Sequence, residues 1–226
     1  YINNLKLRKI KDKNEVQVAG LPANAKISNL SWSPNDTKIL FTNTAANGVE
    51  LWVIDVASAQ AKKLTEANLN ANLGAPFSWF GDNETVLVKL LPSNRKPLLD
   101  SKKDLPAGPI ISNASGAKSQ NRTYPDMLKN KNDEINFENI ITSELYKITL
   151  SGNKTLFKSA DMFAGQSLSP DGNYIMITTI QKPFSYIVPL NRFPMKSVVY
   201  DKSGRGVKIV NETPLTEIMP KGFMAV

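Results

Sequence analysis

The sequence predicts an all-β fold, an incomplete β-propeller of about three four-stranded blades plus part of another, with a long loop and short-helix insertion. The pattern "SLSPDGNYIMITT" at residues 167–179 recurs as "SWSPNDTKILFTNT" at residues 31–44 and, more weakly, as "SWFGDNETVLVKL" at residues 78–90. Each copy predicts two strands joined by a tight turn, because Pro, Asn, Asp and Gly favour turns and β-branched residues favour strands. The spacing from Trp32 to Trp79 is that of one propeller blade, about 40–50 residues.

The predicted blades follow one another along residues 1–226, which form one partial propeller. Residues 1–20 end one blade, residues 213–226 lead into another, and the whole blades are residues 27–66, residues 77–159 and residues 166–212. Trp32 and Trp79 stand at the end of the first strand of their blades and are predicted to pack between blades. A three-blade arc leaves two apolar faces uncovered, so we expect the chain to be part of a longer protein.

The second blade is interrupted by an insertion at residues 92–140, which shows no sustained hydrophobic period. Pro, Ser, Lys, Asn and Gly dominate its first part, and "YPDMLKNKNDE" at residues 124–134 predicts a short helix. Arg95, Lys102 and Lys103 are predicted to lie in a solvated loop. Loops of this length are usually functional or disordered, so the insertion is a candidate functional element.

The composition excludes several kinds of site. With 226 residues and 41% hydrophobic residues the chain can bury a core, and no apolar run is long enough for a membrane span. Histidine and cysteine are both absent, which excludes a Ser-His-Asp triad, a thiol nucleophile and a zinc site built on histidine or cysteine. No phosphate-binding glycine loop occurs. The sequence therefore predicts no catalytic residue, no metal site and no cofactor in this chain.

The net charge of +8 is compatible with a nucleic-acid or anionic partner. Basic residues alternate with leucines in "LKLRKIKDK", however, as expected for the solvated face of a half-buried strand. No zinc-finger spacing or aromatic RNA-binding signature accompanies the charge. We therefore predict that the charge serves solubility and that nucleic acid is not a partner.

The second half of the chain contains the most distinctive motifs, "RTYPDMLKNKNDEINFENIITSELYKI" at residues 122–148 and "KPFSYIVPLNRFP" at residues 182–194. These runs, with the earlier "LRKI", "VQVAGLP" and "SWSPNDTKILF", resemble the amino-terminal propeller of glutamyl endopeptidases of the chloroplast type and their bacterial relatives. That family belongs to the prolyl oligopeptidase group of serine peptidases. The resemblance implies an α/β-hydrolase domain, carboxy-terminal to the propeller, that carries the Ser, Asp and His of the reaction and lies outside this sequence.

The resemblance implies that this chain is a non-catalytic propeller fragment that gates and positions peptide substrates for the absent hydrolase domain. Its expected partners are a peptide and the missing hydrolase domain and blades, including the case in which these form another chain. The compartment stays open, with the periplasm or secretion favoured for a bacterial source. A stand-alone TolB-like propeller that binds a protein is the alternative, and it leaves the "SYIVPLNRFP" loop unexplained.

Three residues are candidates for substrate binding: Arg192, Tyr186 and Arg122. Arg192 and Tyr186 lie in a loop that interrupts the third blade, and loops on rigid scaffolds commonly bind ligands. If the parent enzyme cleaves after glutamate, an arginine fork is the best partner for the substrate carboxylate. The simpler interpretation of Arg192 is a structural arginine that ties the loop to a carbonyl or carboxylate. Arg122 follows the long insertion and is the weaker candidate.

Overall fold

The computed structural model describes residues 2–11, 13–100 and 127–217, and these residues form β-sheets with little helix. Three of the sheets have four strands and one has two. The strands are β1 Lys6–Arg8, β2 Glu15–Gln17, β3 Ile27–Trp32, β4 Lys38–Ala45, β5 Gly48–Asp55, β6 Gln60–Lys63, β7 Phe77–Trp79, β8 Thr85–Leu90, β9 Ser143–Thr149, β10 Lys154–Asp161, β11 Phe163–Leu168, β12 Tyr174–Ile180, β13 Met195–Asp201 and β14 Gly206–Thr213. The helices are α1 Lys131–Ile141 and a 3-10 turn, Leu190–Arg192.

Each four-stranded sheet is an antiparallel meander in chain order. The first blade is β3 to β6, the second is β7 to β10 and the third is β11 to β14, while β1 and β2 form a separate pair. The predicted all-β fold with three four-stranded blades and part of another is confirmed. The described residues contain no closed sheet, and none of their helices has the length and apolar character that a membrane crossing requires.

The repeated turns between the first and second strands share one backbone conformation. The last turn residue has a positive φ in each copy, 57° at Asp36, 62° at Asn83 and 66° at Gly172. Asp, Asn and Gly are the residues that adopt this left-handed region most easily. The side chain before each of them accepts a hydrogen bond from the backbone N–H two residues on, at Asn35, Asp82 and Asp171. The repeat in the sequence is therefore a repeat of turn geometry.

The core lies between successive blades. Leu40, Leu51 and Val53 of the first blade pack with Val86 and Val88 of the second. On the opposite face of β8, Leu87 packs in a second cluster that includes Phe163 and Ile175 of the third blade. Side chains alternate along a strand, so the apolar run "TVLVKL" covers both faces of one blade.

The helix differs in position from the one predicted. We expected it at residues 124–134, of which residues 124–126 lie outside the described residues, but α1 begins at Lys131 and ends at Ile141. Asn130 is its N-cap, and the Asn130 side chain accepts a hydrogen bond of 2.9 Å from the backbone N–H of Asp133. This cap satisfies a backbone donor that has no partner within the helix, and it fixes the later start.

The two repeated tryptophans differ in their surroundings. Trp79 packs against the cluster between the first two blades, and its Nε1 donates to the backbone oxygen of Ser31 over 3.3 Å, which confirms its predicted role. The prediction was wrong for Trp32, which is 51% exposed. Trp32 pairs with Ile39 on the face of the first blade that is turned towards β1 and β2. That strand pair is too short to cover the whole face.

Candidate functional site

Two long connections leave the same end of neighbouring blades. In a four-stranded meander the connection between the second and third strands lies opposite the other two turns. In the first blade this connection is a tight turn at residues 46–47, but it spans residues 91–142 in the second blade and residues 181–194 in the third. We call the described parts of the two long connections, residues 91–100, 127–142 and 181–194, the loop–helix module.

An aromatic cluster joins the two connections of the module. The ring of Phe137, on α1, makes edge contacts with the rings of Phe184 and Phe193 at centroid distances of 5.1 and 5.9 Å. Phe184 and Phe193 stack at 5.4 Å. Phe193 is buried together with Val188, also of the third-blade loop. The loop and the helix therefore share one small hydrophobic core.

Two polar contacts accompany this core. Lys182 Nζ lies 2.7 Å from Glu138 Oε2, and Tyr186 Oη donates to Glu134 Oε2 over 2.8 Å. The ammonium of Lys131, followed by the Tyr186 hydroxyl, holds the pKa of the Glu134 carboxyl below its usual value. The same hydrogen bond raises the pKa of Tyr186. Lys182 and Tyr186 thus attach the third-blade loop to successive turns of α1.

The first part of the insertion runs beside the helix. Arg95 Nε donates to the backbone oxygen of Asn139 over 3.0 Å, near the end of α1. The side chain of Asn136 bonds the backbone N–H and the backbone oxygen of Leu99, at 2.7 and 2.9 Å. Arg95 is exposed in an irregular connection, as predicted for a solvated loop, and it also binds the end of α1. Lys102 and Lys103 lie outside the described residues.

Asn70 ties the module to the blades. Its Nδ2 donates to the backbone oxygens of Ile140 and Thr142, at 2.9 and 3.1 Å, and its Oδ1 accepts from the backbone N–H of Asn72. Asn70 is 2% exposed and lies in the connection between the first and second blades. This side chain satisfies carbonyls at the end of α1 and holds the helix against the propeller. No sequence pattern marked Asn70.

A cavity of about 770 Å³ opens beside the module, on the third blade. Its lining is mostly apolar and is formed by Leu73, Ala164, Ile180, Pro189, Leu190 and Met195 together with Gly165, Thr178 and Asn191. The ammonium of Lys89 donates to the backbone oxygen of Leu73 from the side of the second blade. Burial lowers the pKa of Lys89 to about 8.

No group of acidic residues that could hold a metal ion occurs in the described ranges of the chain.

The predicted site residues fall in and around the module. Tyr186 is bound to Glu134, and Arg192 ends the 3-10 turn whose first two residues, Leu190 and Asn191, line the cavity. The backbone oxygen of Arg192 accepts a hydrogen bond of 3.1 Å from the N–H of Thr216. The structure thus places Tyr186 and Arg192 in one loop, and substrate binding by either stays a prediction. Arg122 lies outside the described residues.

We expect Tyr186→Phe to loosen the module without unfolding the blades. The change removes the hydroxyl that bonds Glu134, so the pKa of Glu134 should rise towards its usual value and the free energy of unfolding should fall by about 0.5–1.5 kcal/mol. Because the folded pKa of Glu134 is lowered, its contribution to stability is present above the unfolded pKa and is lost as the pH falls through the folded one. An NMR titration of Glu134 measures this directly.

Tyr146→Phe is the matched control, since Tyr146 makes a similar hydrogen bond to Glu144 on β9. The titration of Glu134 should be the same in this variant as in the unchanged protein. An unchanged Glu134 titration in Tyr186→Phe would show that the contact is not formed in solution.

The comparisons with known proteins agree with this fold. The sequence is 32% identical over 216 residues to a protein of Oryza sativa subsp. japonica named "Probable glutamyl endopeptidase, chloroplastic", and the match covers 91% of this chain and 23% of that protein. A protein of the same name from Arabidopsis thaliana is 31% identical over 220 residues, covering 91% of this chain and 22% of its own length. The resemblance to glutamyl endopeptidases is confirmed. The chain spans less than a quarter of these relatives.

A solved TolB-type protein from Agrobacterium tumefaciens has a similar fold. It superposes with a TM-score of 0.50 at 10% sequence identity, over 88% of this chain and 52% of that chain. At this identity the similarity concerns the fold alone. No family model matches the sequence.

Proposed function

We propose that this chain, a homologue of one segment of the chloroplastic glutamyl endopeptidases, is the non-catalytic propeller segment of a serine peptidase. In this role the loop–helix module limits which peptides reach the hydrolase domain and helps to position them. The observation that carries the proposal is the identity of 31–32% to glutamyl endopeptidases over 91% of the chain. The proposal includes the existence of a hydrolase domain elsewhere in the protein and of a peptide substrate for it.

The composition supports a non-catalytic role. A serine nucleophile is activated by an adjacent general base, which is a histidine in the Ser-His-Asp arrangement. The chain has no histidine and no cysteine, so it contains neither that base nor an alternative thiol nucleophile. A Ser-His-Asp peptidase that includes this segment must take its histidine from elsewhere in the protein.

The exposed faces of the terminal blades support further blades as partners. Tyr174 and Met176 are 44% and 40% exposed on the outward face of the third blade, and Leu30 and Trp32 are 43% and 51% exposed on the first. At the two junctions between blades, Leu40 and Leu87, which correspond to Met176, are fully buried. Trp79 and Leu168, which correspond to Trp32, are partly buried. A neighbouring blade on each face would remove these apolar side chains from water, as packing does between the described blades.

The construction of the module supports a role in limiting access. Its two connections project from one end of the blades, and the aromatic cluster, the ion pair of Lys182 and the bonds of Asn70 fix them to each other and to the propeller. Residues 101–126 join the two described arms of the insertion. A rigid support of this kind can hold a long connection across the path of a large substrate.

We expect the whole protein to lose size selectivity when residues 101–126 are replaced by a six-residue Gly-Ser linker. The ratio of kcat/KM for a long glutamate-containing polypeptide to that for a short glutamyl peptide should rise about tenfold, a change of about 1.4 kcal/mol in relative barrier, because a steric obstacle is removed. Steady-state cleavage of the two substrates gives this ratio.

The control carries the same linker inserted at residues 202–204, a turn of the third blade at the opposite end from the module. It should leave the ratio unchanged. An unchanged ratio in the folded module variant would contradict a role of the insertion in substrate access. Absence of any glutamyl-peptide cleavage by the whole protein would contradict the proposed function itself.

A further inference from the structure

The lining of the cavity on the third blade is mostly apolar and uncharged, like the interior of a protein. Its lining contains no charged side chain, and it is formed largely by Ile180, Leu190, Met195 and their apolar neighbours. It opens on the same outward face as Met176, because Met176, Thr178 and Ile180 alternate along β12. An apolar surface of this size is normally covered in a soluble protein.

The chain itself reaches the rim of this cavity after β14. Leu215, like Met195, packs against the buried cluster that contains Ile180. The N–H of Thr216 donates to the backbone oxygen of Arg192, and Ser185 Oγ donates to Glu217 Oε1 over 2.7 Å. Residue 217 is therefore held beside the loop whose residues 189–191 line the cavity.

The nine residues that follow Glu217 suit an apolar site. They read "IMPKGFMAV", with Lys221 as the one charged residue and Phe223 as the largest apolar side chain. At about 3.3 Å per residue the segment can extend about 30 Å, which is more than the width of a blade. Burial of its apolar side chains would be favourable by about 25 cal/mol for each Å² removed from water.

The two earlier junctions show the same arrangement. After β6, the chain buries Leu69, whose N–H donates to the backbone oxygen of Val49 in the first blade over 2.9 Å. After β10, the chain buries Phe163, the first residue of β11, which packs with Leu87 and Leu145 of the second blade. In both cases the residues that follow the outermost strand cover the blade that has just ended.

We propose that residues 218–226 bind in the cavity of the third blade, with Phe223 as the main apolar contact. The segment continues the repeat, covering the third blade as the residues around Leu69 cover the first. This interaction is independent of the peptidase function, since it requires only this chain.

The absence of cysteine allows a direct test in the full chain. Thr178→Cys places one thiol in the cavity lining, and its rate of reaction with a thiol reagent measures access. We expect the rate to rise about tenfold when Phe223→Ser and Met224→Ser are added, since these changes weaken the apolar contact. Ser203→Cys, in a turn at the other end of the blade, should react at the same rate in both backgrounds. Equal rates for Thr178→Cys would overturn the proposal.

Disulfide formation separates the chain's own segment from a second copy. Thr178→Cys is combined in turn with Met219→Cys, Phe223→Cys and Ala225→Cys, and each double variant is oxidised at low concentration. The proposal requires a disulfide within one chain for at least one pair, because a disulfide needs Cα atoms about 4.4–6.8 Å apart. Cross-linked dimers alone, or no cross-link in any pair, would overturn it.

Discussion

Phe163→Ala should remove a large part of the stability of the blades. Phe163 is 2% exposed at the start of β11 and belongs to the cluster that Leu87 of the second blade shares with Ile175 of the third. Loss of a buried phenylalanine costs about 3–5 kcal/mol, from lost burial and from the cavity left behind. Domains are stable by about 5–15 kcal/mol, so the loss is a substantial fraction. Urea unfolding followed by tryptophan fluorescence measures it.

Leu156→Ala is the control for this change, because Leu156 is an apolar residue of β10, the strand that precedes β11 along the chain, and is 51% exposed. Its effect should stay within about 0.5 kcal/mol, as is usual for surface substitutions. Similar losses in the two variants would mean that the second and third blades do not pack through this cluster.

Phe193→Ala should detach the third-blade loop from α1 while the blades stay folded. Phe193 is 4% exposed and contacts the rings of both Phe137 and Phe184. Its removal should destabilise the closed module by about 3–5 kcal/mol. Hydrogen exchange of the amides of α1 should become faster, because local opening then costs less free energy, whereas β4 and β8 should keep their protection.

Ile187→Ala provides the comparison within the same loop, since Ile187 is 49% exposed. The exchange of the α1 amides should be unaffected by this change. Unchanged exchange in Phe193→Ala would contradict the description of the two connections as one module.

The strands and turns could be predicted because their determinants are local. The predicted segment "TVLVKL" coincides with β8, and "YIMITTI" coincides with β12. The recurring Asn, Asp and Gly at the ends of the turns supply the left-handed residue that each turn requires. The packing predicted for Trp32 was wrong because a sequence repeat shows only that a position is equivalent in each blade. It does not show that another blade covers that position.

The contacts of the module could not be predicted because they join residues far apart in the sequence. Tyr186 and Glu134 are 52 positions apart, and Asn70 and Ile140 are 70 positions apart. A polar residue that satisfies a distant backbone carbonyl has no periodicity to identify it. The sequence identified the third-blade loop as a candidate binding element. Only the structure shows that Tyr186 of this loop and Arg95 of the insertion both bind α1.

The most direct measurement is made on the native protein, isolated from its own cells with an antibody against this chain. Its mass should be about four times the 24.9 kDa of the chain, because the chain covers 22–23% of its relatives. The isolated protein should also cleave glutamyl peptides and lose this activity with a serine-reactive inhibitor. A native protein of 24.9 kDa with no larger precursor, or a large protein without this cleavage, would contradict the assignment of the chain to a peptidase.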